Sequence, residues 1–320
     1  MIEFEKVLLS ESPDMVVVVG DVNSTLAAAL AAVKLNIPVA HVEAGLRSFD
    51  RRMPEEINRL VTDAISTYLF TPSPDGDENL LREGISPDKI YRVGDIMVDS
   101  LLFHLEEAKM STIHRRLGLV KEGGASEDSV VRYVLLTLHR PSNVDEEDSF
   151  KKIMAALEAI GKRVPIIFPF HPRTKKQLLA LGLGEKVRFH NSKENVDLSS
   201  PGIHGLDPLG YLDFLSLMTR ATLVLTDSGG IQEETTVLGI PCLTLRDTTE
   251  RPITLKEGTN ILVWNDTKKI VEEASKILDG KAKKAKIPEY WDGKTAERII
   301  KILAEQGLKS RELTKTKGTR

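Results

Sequence analysis

The sequence predicts an α/β protein that contains two parallel sheets. Short apolar runs alternate along the chain with helix-compatible segments, which is the pattern of parallel strands joined by helices. The runs are apolar throughout, as in residues 15–19, whereas a strand covered on one face alternates with polar residues. A polar, glycine-containing stretch at residues 123–128 interrupts this alternation once. We therefore expect one domain on either side of it.

The first predicted domain spans residues 1–112. Its predicted strands are residues 15–19, 38–42, 68–71 and 90–93. Its predicted helices are residues 24–35, 55–65, 74–83 and 97–108. Pro54 directly precedes the second of these helices, and proline is favoured where a helix begins. Because the run 15–19 is so uniformly apolar, we expect helices on both faces of that strand.

The second predicted domain spans residues 113–290. Its predicted strands are residues 133–137, 165–168, 187–190, 221–226, 241–245 and 261–263. Its predicted helices are residues 146–162, 173–181, 211–220 and 268–278, with one more after Gly230. Residues 191–208 are predicted to form a polar loop, and residues 246–259 an irregular segment. A final helix is predicted within residues 291–306, and residues 307–320 have the polar composition of a disordered tail.

The composition excludes several classes of protein. A net charge of -3, with acids and bases mixed along 320 residues, argues against nucleic acid or an anionic membrane as partner. No apolar run reaches transmembrane length and no signal-like segment opens the chain, so we expect a cytoplasmic location. The single cysteine, Cys242, rules out a disulfide within the chain and lies in an apolar run typical of a buried strand.

One stretch, residues 221–234, combines a predicted strand with a Ser228-Gly229-Gly230 turn and a helix start. The unpaired N–H groups of such a helix terminus favour an anion, and phosphate is the obvious one. Glu234 lies one turn further on, where a carboxylate can accept hydrogen bonds from a ribose. The alternative is an ordinary turn followed by acids that complement the helix dipole.

Three acidic residues follow strands of the first domain, namely Asp21, Glu43 and Glu55. The carboxyl ends of parallel strands share one edge, where α/β proteins bind ligands, so these carboxylates can converge. Carboxylates brought together in this way suit proton transfer. The alternative for Asp21 is helix capping, and for Glu55 it is a first-turn acid. Glu43 has no helix to cap, which favours a functional role.

Cationic groups follow strands of the second domain. His139 and His171 each stand just after a predicted strand, and Arg246 and Arg251 follow a third. Together they can form a rim that binds phosphate, and a histidine there can also act as an acid. The alternatives are loop histidines bonded to backbone and arginines in surface salt bridges.

Familiar cofactor motifs are absent from the sequence. The G-x-G at Gly182 precedes a predicted strand instead of following one, so it is no dinucleotide fingerprint. The sequence contains no Walker loop, HExxH, paired cysteines or G-x-S-x-G, and the histidines lack metal-ligand spacing. We therefore expect chemistry on a phosphorylated ligand without a metal or another cofactor.

Taken together, the motifs closely resemble the non-hydrolysing UDP-N-acetylglucosamine 2-epimerases. The resemblance rests on segments that occur in family order from Asp21 to about Asn260. They are Gly-Asp21, His-Val-Glu43-Ala-Gly-Leu-Arg, Pro-Glu55-Glu-Ile-Asn-Arg, Leu-His139-Arg, Asp-Ser228-Gly-Gly-Ile-Gln-Glu-Glu234 and Arg246-Asp-Thr-Thr-Glu-Arg-Pro. The resemblance implies the glycosyltransferase-B architecture: two Rossmann-like domains, an active site in the interdomain cleft, and a carboxy-terminal helix that crosses back to the first domain.

The resemblance also implies a reaction and residue roles. The family inverts C2 of UDP-N-acetylglucosamine by eliminating UDP to an enzyme-bound 2-acetamidoglucal and adding it back after reprotonation. Asp21, Glu43 and Glu55 match the family's catalytic carboxylates, and His139 matches the histidine beside the nucleotide. Ser228, Gly229 and Gly230 match the phosphate-binding turn and Glu234 the ribose-binding acid, and we add His171 and Arg246 as further UDP contacts. Which carboxylate is base and which is acid stays open.

One departure from the family concerns the amino-terminal side. Family members begin with a strand and a Gly-Thr-Arg-Pro-Glu loop, followed by further α/β units, before the region matched here from Met1. We expect the chain to be truncated by roughly two such units of about 30 residues each. Two alternatives stay open: an epimerase of a related UDP-sugar such as a diacetamido-uronate and, because of the missing segment, a UDP-sugar-binding protein without turnover. For the intact enzyme we expect a homodimer.

Overall fold

The computed structural model describes residues 1–120, 130–192 and 194–317, with side chains described up to residue 306. The chain divides into two compact units. Unit 1 comprises Met1–Ser100 and Pro288–Arg320, and unit 2 comprises Leu101–Ile287. The division falls before the boundary at residue 112 that the sequence predicts.

Unit 1 is built on a four-stranded parallel sheet with the order β1-β2-β3-β4. Its elements are α1 (Ile2–Glu11), β1 (Val16–Val19), α2 (Asn23–Lys34), β2 (Val39–Val42), α3 (Pro54–Ile65), β3 (Tyr68–Thr71), α4 (Pro74–Arg82), β4 (Ile90–Arg92) and the start of α5 (Ile96–Lys109), whose residues 101–109 fall in unit 2. The predicted strands and helices are confirmed to within a residue or two. Helix α1 was not predicted, because Leu8 is its one buried residue and its apolar periodicity is correspondingly weak.

Strand β1 differs from the sequence prediction in its exposure. Val16 and Val18 are buried, whereas Val17 and Val19 are each 50% exposed. The prediction that both faces of this strand are covered is therefore wrong. β1 is the edge strand of its sheet. A run of valines is compatible with a strand packed on one face or on both, so the sequence does not distinguish the two cases.

Unit 2 is built on a seven-stranded parallel sheet with the order β11-β10-β9-β5-β6-β8-β7. Its elements are α6 (Ile113–Arg116), β5 (Val134–Thr137), α7 (Pro141–Val144), α8 (Glu147–Gly161), β6 (Pro165–Pro169), α9 (Pro172–Ala180), β7 (Arg188–His190), β8 (Gly202–Leu206), α10 (Tyr211–Arg220), β9 (Leu223–Thr226), α11 (Gly229–Leu238), β10 (Cys242–Thr244), α12 (Pro252–Lys256), β11 (Asn260–Leu262) and α13 (Thr267–Leu278). The pattern of apolar runs therefore predicts this α/β unit correctly.

The short helices α6 and α7 of unit 2 were not predicted, and two further elements lie where the sequence predicts a loop or an irregular segment. Strand β8 falls in the predicted polar loop, because its residues Gly202-Ile-His-Gly-Leu206 include two glycines and a histidine that hide its strand character. Helix α12 falls in the predicted irregular segment and is only five residues long. In the centre of this sheet both faces are covered, since Leu136 packs in one apolar cluster and Leu135 in another.

The chain ends in helix α14 (Thr295–Lys317), which belongs to unit 1. Asp99 of α5 accepts hydrogen bonds from the N–H groups of Thr295 and Ala296, at 3.0 and 2.7 Å, so its carboxylate caps the first turn of α14. The predicted disordered tail is wrong for residues 307–317, which continue the helix. No proline interrupts this segment, and its leucine, lysine, arginine and glutamate residues favour helix. Residues 318–320 of that tail lie outside the described residues.

Candidate active site

The strand order of unit 2 reverses between β5 and β9. From β5 the chain adds β6, β7 and β8 on one side, and it adds β9, β10 and β11 on the other. In parallel α/β sheets, ligands bind at the carboxyl ends of the strands beside such a reversal. His139 follows β5 and Ser228 follows β9, so the fold brings these two predicted residues to the reversal point.

Asp227 connects the segments that follow β5 and β9. Its carboxylate is fully buried and accepts hydrogen bonds from the N–H groups of His139 and Arg140, at 3.0 and 2.8 Å. The Nδ2 group of Asn143 donates a further bond at 3.2 Å. Burial alone raises the pKa of Asp227, but the hydrogen bonds and the charge of His139 outweigh burial and lower it. Asp227 is therefore an ionised anchor within unit 2.

The same carboxylate orients the ring of His139. Nδ1 of His139 lies 3.0 Å from Oδ1 of Asp227, and the histidine side chain is 41% exposed. An ionised carboxylate only accepts, so Nδ1 carries the proton and donates it. Nε2 is then the ring atom left for a ligand. The ring of His171 lies 6.1 Å from that of His139, so both predicted histidines belong to one neighbourhood.

His171 itself caps helix α9. Its Nδ1 accepts a hydrogen bond from the N–H group of Arg173 at 3.3 Å, and the residue is exposed. This is the backbone-bonded loop histidine that the sequence left as an alternative. The role of His171 in UDP binding stays a prediction.

The Ser228-Gly229-Gly230 turn forms the start of helix α11, with Ser228 at the cap position. A Cβ atom on Gly229 would lie 2.6 Å from Nη1 of Arg251 and 2.9 Å from Oε1 of Glu250, so a larger residue there would have to displace this buried ion pair. A Cβ atom on Gly230 would meet nothing within 4 Å. The turn is thus packed against side-chain ends at Gly229 and open at Gly230. The N–H groups of this helix terminus can receive a phosphate.

A buried ionic cluster supports the packed side of the turn. Nη2 of Arg246 lies 2.7 Å from Oε2 of Glu250, and Nη1 of Arg251 lies 2.6 Å from Oε1 of the same carboxylate. Glu233 accepts from Nε of Arg251. Burial acts to raise the pKa of Glu250, but the charges of Arg251 and Arg246 lower it overall. The surface salt bridge that the sequence left open for these arginines is therefore wrong, and the UDP contact of Arg246 stays a prediction.

Glu234, the predicted ribose ligand, is buried one turn into α11. Its Oε1 accepts a hydrogen bond from the hydroxyl of Tyr211 at 2.9 Å. Burial and the neighbouring Glu234 charge raise the pKa of Tyr211, which remains a neutral donor. Tyr211 of α10 therefore holds the carboxylate that the ribose role requires.

In unit 1, Asp21 follows β1 and is held by helix α3. Its carboxylate forms an ion pair with Arg59, and its backbone carbonyl accepts from Nδ2 of Asn58 at 2.8 Å. Arg59 is itself buried and binds Glu56, with Nη2 2.6 Å from Oε2. Asp21 is therefore fixed by a tertiary ion pair, which is a different contact from the helix cap left as its alternative.

Glu43 follows β2 in a left-handed conformation, with φ of 70°. Such a conformation costs on the order of 1–3 kcal/mol for a residue with a side chain, and functional sites commonly carry it. The loop is kept in place at Gly45, where a Cβ atom would lie 2.4 Å from the carbonyl oxygen of Gly76. Glu43 is half-buried and directly follows the carboxyl end of β2.

Glu55 and Glu56 lie side by side in the first turn of α3 but differ in environment. Glu56 is 1% exposed and accepts hydrogen bonds from the N–H groups of Ser48 and Phe49, at 2.9 and 2.8 Å. Glu56 is therefore a structural residue that fixes the loop after β2. Glu55 is half-buried, and its catalytic role stays a prediction.

The sequence missed two residues that organise the site. Asp227 looked like part of the polar turn, although its place directly after an apolar run could have marked it. Arg59 looked like an ordinary helix residue, although it stands in the Pro54-Glu-Glu-Ile-Asn-Arg segment. Across the described ranges no group of three or more His, Cys, Asp or Glu side chains is arranged to hold a metal ion. None of the helices described combines the length and apolar character needed to cross a membrane.

Comparison with known proteins gives consistent matches over most of the chain. The family model for UDP-N-acetylglucosamine 2-epimerase matches residues 1–304. The UDP-N-acetylglucosamine 2-epimerase of Methanocaldococcus jannaschii is 48% identical over 308 residues, which are 95% of this chain and 78% of that protein. Its crystal structure with UDP-GlcNAc and UDP superposes with a TM-score of 0.80 at 47% identity, over 95% of this chain and 79% of that one. The UDP-2,3-diacetamido-2,3-dideoxy-D-glucuronate 2-epimerase of Pseudomonas aeruginosa is 41% identical, over 95% of this chain and 78% of that protein.

Proposed function

Because the chain belongs to the UDP-N-acetylglucosamine 2-epimerase family, we propose that it interconverts UDP-N-acetylglucosamine and UDP-N-acetylmannosamine. The observation that carries the proposal is the arrangement at the β5/β9 reversal. There Asp227 holds His139 beside a helix terminus whose open side is shaped by Gly230. The relative from Methanocaldococcus jannaschii was crystallised with UDP-GlcNAc and UDP, which supports a UDP-sugar as the ligand.

In the proposed reaction, unit 2 binds the nucleotide. The N–H groups at the start of α11 bind the phosphates, and Nε2 of His139 donates to or accepts from the ligand, since Nδ1 is committed to Asp227. Glu234 accepts from the ribose hydroxyls. As UDP leaves C1, the N–H groups at the start of α11 stabilise the negative charge that develops on its phosphate.

Unit 1 supplies the carboxylates for proton transfer. One of Asp21, Glu43 and Glu55 removes the proton from C2 while the bond from C1 to UDP breaks, giving the 2-acetamidoglucal. A proton is then delivered to C2 from the opposite face, and UDP adds back to C1. Proton transfer by one positioned group supplies about 10²–10⁴-fold, so stabilisation of the departing UDP must supply much of the remainder.

A direct assay tests this function. The protein is incubated with UDP-N-acetylglucosamine in buffer containing a chelator and no nicotinamide, and UDP-N-acetylmannosamine is measured by proton NMR. We expect interconversion to equilibrium by the wild type, and none by Glu43→Gln, which keeps the shape of the carboxylate and removes its charge. Nucleotide binding by the wild type without turnover would contradict the proposal and favour the UDP-sugar-binding protein.

A second candidate is an epimerase of a diacetamido-uronate UDP-sugar. The 41% identity to the aeruginosa enzyme, spread over the same 95% of the chain, favours keeping it. Its sugar carries a second acetamido group and a carboxylate, which need further donors. Comparing kcat/KM for the two UDP-sugars distinguishes the candidates, and a higher value for the uronate would replace the leading proposal. The homodimer and the cytoplasmic location stay predictions from the sequence.

A further inference from the structure

His41 lies in the middle of unit 1 and has no role in the proposed reaction so far. The residue belongs to β2 and is fully buried. Nδ1 lies 2.6 Å from Oδ1 of Asp63 in α3, and Nε2 lies 3.0 Å from the carbonyl oxygen of Gly20, which follows β1. Both ring nitrogens therefore face oxygen atoms of neighbouring segments.

Neither of these oxygens can donate a proton. A backbone carbonyl only accepts, and Asp63 is occupied as an acceptor on its other oxygen. Oδ2 of Asp63 lies 2.7 Å from Nη1 of Arg47 and 3.1 Å from the N–H nitrogen of Gly45. Asp63 is thus ionised, and a neutral His41 would place a lone pair against a carbonyl or carboxylate oxygen. The geometry requires a proton on both ring nitrogens.

The surrounding charges accommodate a buried imidazolium. Asp63 from α3 faces it directly, Arg47 from the loop after β2 shares that carboxylate, and Glu83 binds Arg47 through two bonds of 2.8 and 2.6 Å. Two cations and two carboxylates therefore form one balanced network. Glu43, from the same loop, also interacts electrostatically with His41. A buried ion keeps its charge when it is paired and hydrogen-bonded in this way.

The contacts of His41 join the two segments that carry predicted catalytic carboxylates. Gly20 directly precedes Asp21, and Glu43 stands two residues after His41. Asp63 completes the link, because it also holds the N–H group of Gly45 in the loop that carries Glu43. We propose that His41 is a doubly protonated positioning residue that sets the Asp21 and Glu43 segments against each other. This inference rests on the proposed epimerase function.

Loss of the second proton would break the link between these segments. Burial acts to lower the pKa of His41, but the hydrogen bond and charge of Asp63 outweigh it, and the pKa lies above its usual value. The stabilisation is therefore fully present below the unfolded pKa of about 6.5 and is lost as pH rises through the folded pKa. Turnover should decline over that same upper range of pH.

Nitrogen NMR of the full chain labelled at its histidines tests the protonation state. The signals of His41 are assigned by their loss in His41→Gln. We expect two protonated ring nitrogens at neutral pH, with or without ligand. A ring with one unprotonated nitrogen at that pH would overturn the inference, and this measurement needs only the wild-type fold and the assignment.

Kinetics test the positioning role. Glutamine cannot donate in both directions, so His41→Gln should lower kcat on the order of 100-fold while leaving KM and UDP affinity nearly unchanged. His204→Gln is the matched control. His204 is a buried histidine of unit 2 that also contacts two partners, Ser200 and His190. The His204→Gln substitution should leave kcat unchanged.

Two results would count against the positioning role. One is full turnover by His41→Gln. The other is a fall in UDP affinity equal to the fall in kcat, which would indicate general loss of structure. Wild-type protein without any epimerisation would overturn the proposed function and with it this role, while the NMR result would still decide the charge of His41. Asp63→Asn provides a second variant, in which the NMR signals should show a neutral ring.

Discussion

At the scale of single residues, Asp227 is central to the proposed nucleotide site of unit 2. It is fully buried, and it holds both the backbone and the ring of the segment containing His139. A carboxylate that fixes one ring nitrogen determines which nitrogen faces the ligand. The orientation of His139 is therefore a property of Asp227.

Replacing Asp227 by asparagine should lower kcat by on the order of 100-fold or more, because the new amide can present its N–H₂ group to Nδ1 and reverse the tautomer. Nitrogen NMR of His139 should show the proton move from Nδ1 to Nε2. Asp279→Asn, in an exposed ion pair with Arg163, is the control and should be neutral. Wild-type turnover in Asp227→Asn with an unchanged tautomer would contradict this account.

Glu234→Gln should weaken UDP binding by about 10-fold, because the ribose loses a charged acceptor worth about 1.5 kcal/mol more than a neutral one. Isothermal calorimetry with UDP measures this, and Glu185→Gln at an exposed position is the control. If UDP affinity is unchanged while proton exchange at C2 is abolished, the proposed division of roles is wrong, with Glu234 binding the ribose and Asp21, Glu43 and Glu55 transferring protons.

Sequence reasoning can propose residues that would face a ligand more readily than it can find the residues that support them. Ser228, Gly229, Gly230 and Glu234 follow a strand in an order that chemistry can interpret. Glu56 and Arg59 form a buried pair, and nothing in the sequence separates Glu56 from its neighbour Glu55. That difference depends on which carboxylate meets the N–H groups of Ser48 and Phe49, which is a tertiary contact.

At the scale of elements, the loop after β2 and helix α3 are stabilised together through Glu56. Replacing Glu56 by alanine removes the acceptor of two backbone N–H groups and leaves buried Arg59 with less of its counter-charge. We expect a loss of about 3–5 kcal/mol in the free energy of unfolding, measured by urea denaturation. Glu78→Ala, in an exposed pair with Arg82, should cost less than about 1 kcal/mol. Equal losses in the two variants would contradict the role of Glu56.

The burial of His114 predicts that the stability of unit 2 depends on pH. It is 6% exposed in α6, and burial, with a smaller effect of Arg220, lowers its pKa to about 4. Since the folded pKa is below the unfolded value of about 6.5, stability is present above pH 6.5 and is lost as pH falls toward 4. The shift corresponds to about 3 kcal/mol over that range.

Comparing the wild type with His114→Gln isolates this effect. Between pH 6.5 and 4 the free energy of unfolding should fall by about 3 kcal/mol less in the variant than in the wild type. Urea denaturation at each pH measures this difference. His104→Gln, at a partly exposed ring on α5, controls for loss of a histidine as such. Identical pH dependence in the wild type and His114→Gln would contradict the prediction.

Most elements could be predicted because each apolar run is bounded by turn residues. The exceptions have physical causes. Strand β8 contains residues of low strand propensity, and its place between β6 and β7 is determined by tertiary pairing. Helix α14 extends past its predicted end because charged residues that resemble a disordered tail are also good helix formers.

At the scale of the whole molecule, alternation of strands and helices predicts two parallel sheets but not the order of their strands. The order in unit 2 reverses at β5 and β9, and this reversal places His139 beside Asp227 although 88 residues separate them in the chain. Such proximity follows from the path of the chain through the sheet. The strand order is therefore the physical reason that these two residues meet.

The central claim is that inversion at C2 proceeds by proton removal coupled to loss of UDP. Epimerisation in D₂O, starting from UDP-N-acetylglucosamine with ¹⁸O in the bridge between C1 and the phosphate, tests both parts in one mass-spectrometric and NMR experiment. We predict that the UDP-N-acetylmannosamine formed carries deuterium at C2 and that ¹⁸O scrambles into non-bridging phosphate positions. Product that retains the original hydrogen at C2, or keeps all of its ¹⁸O in the bridge, would contradict the account.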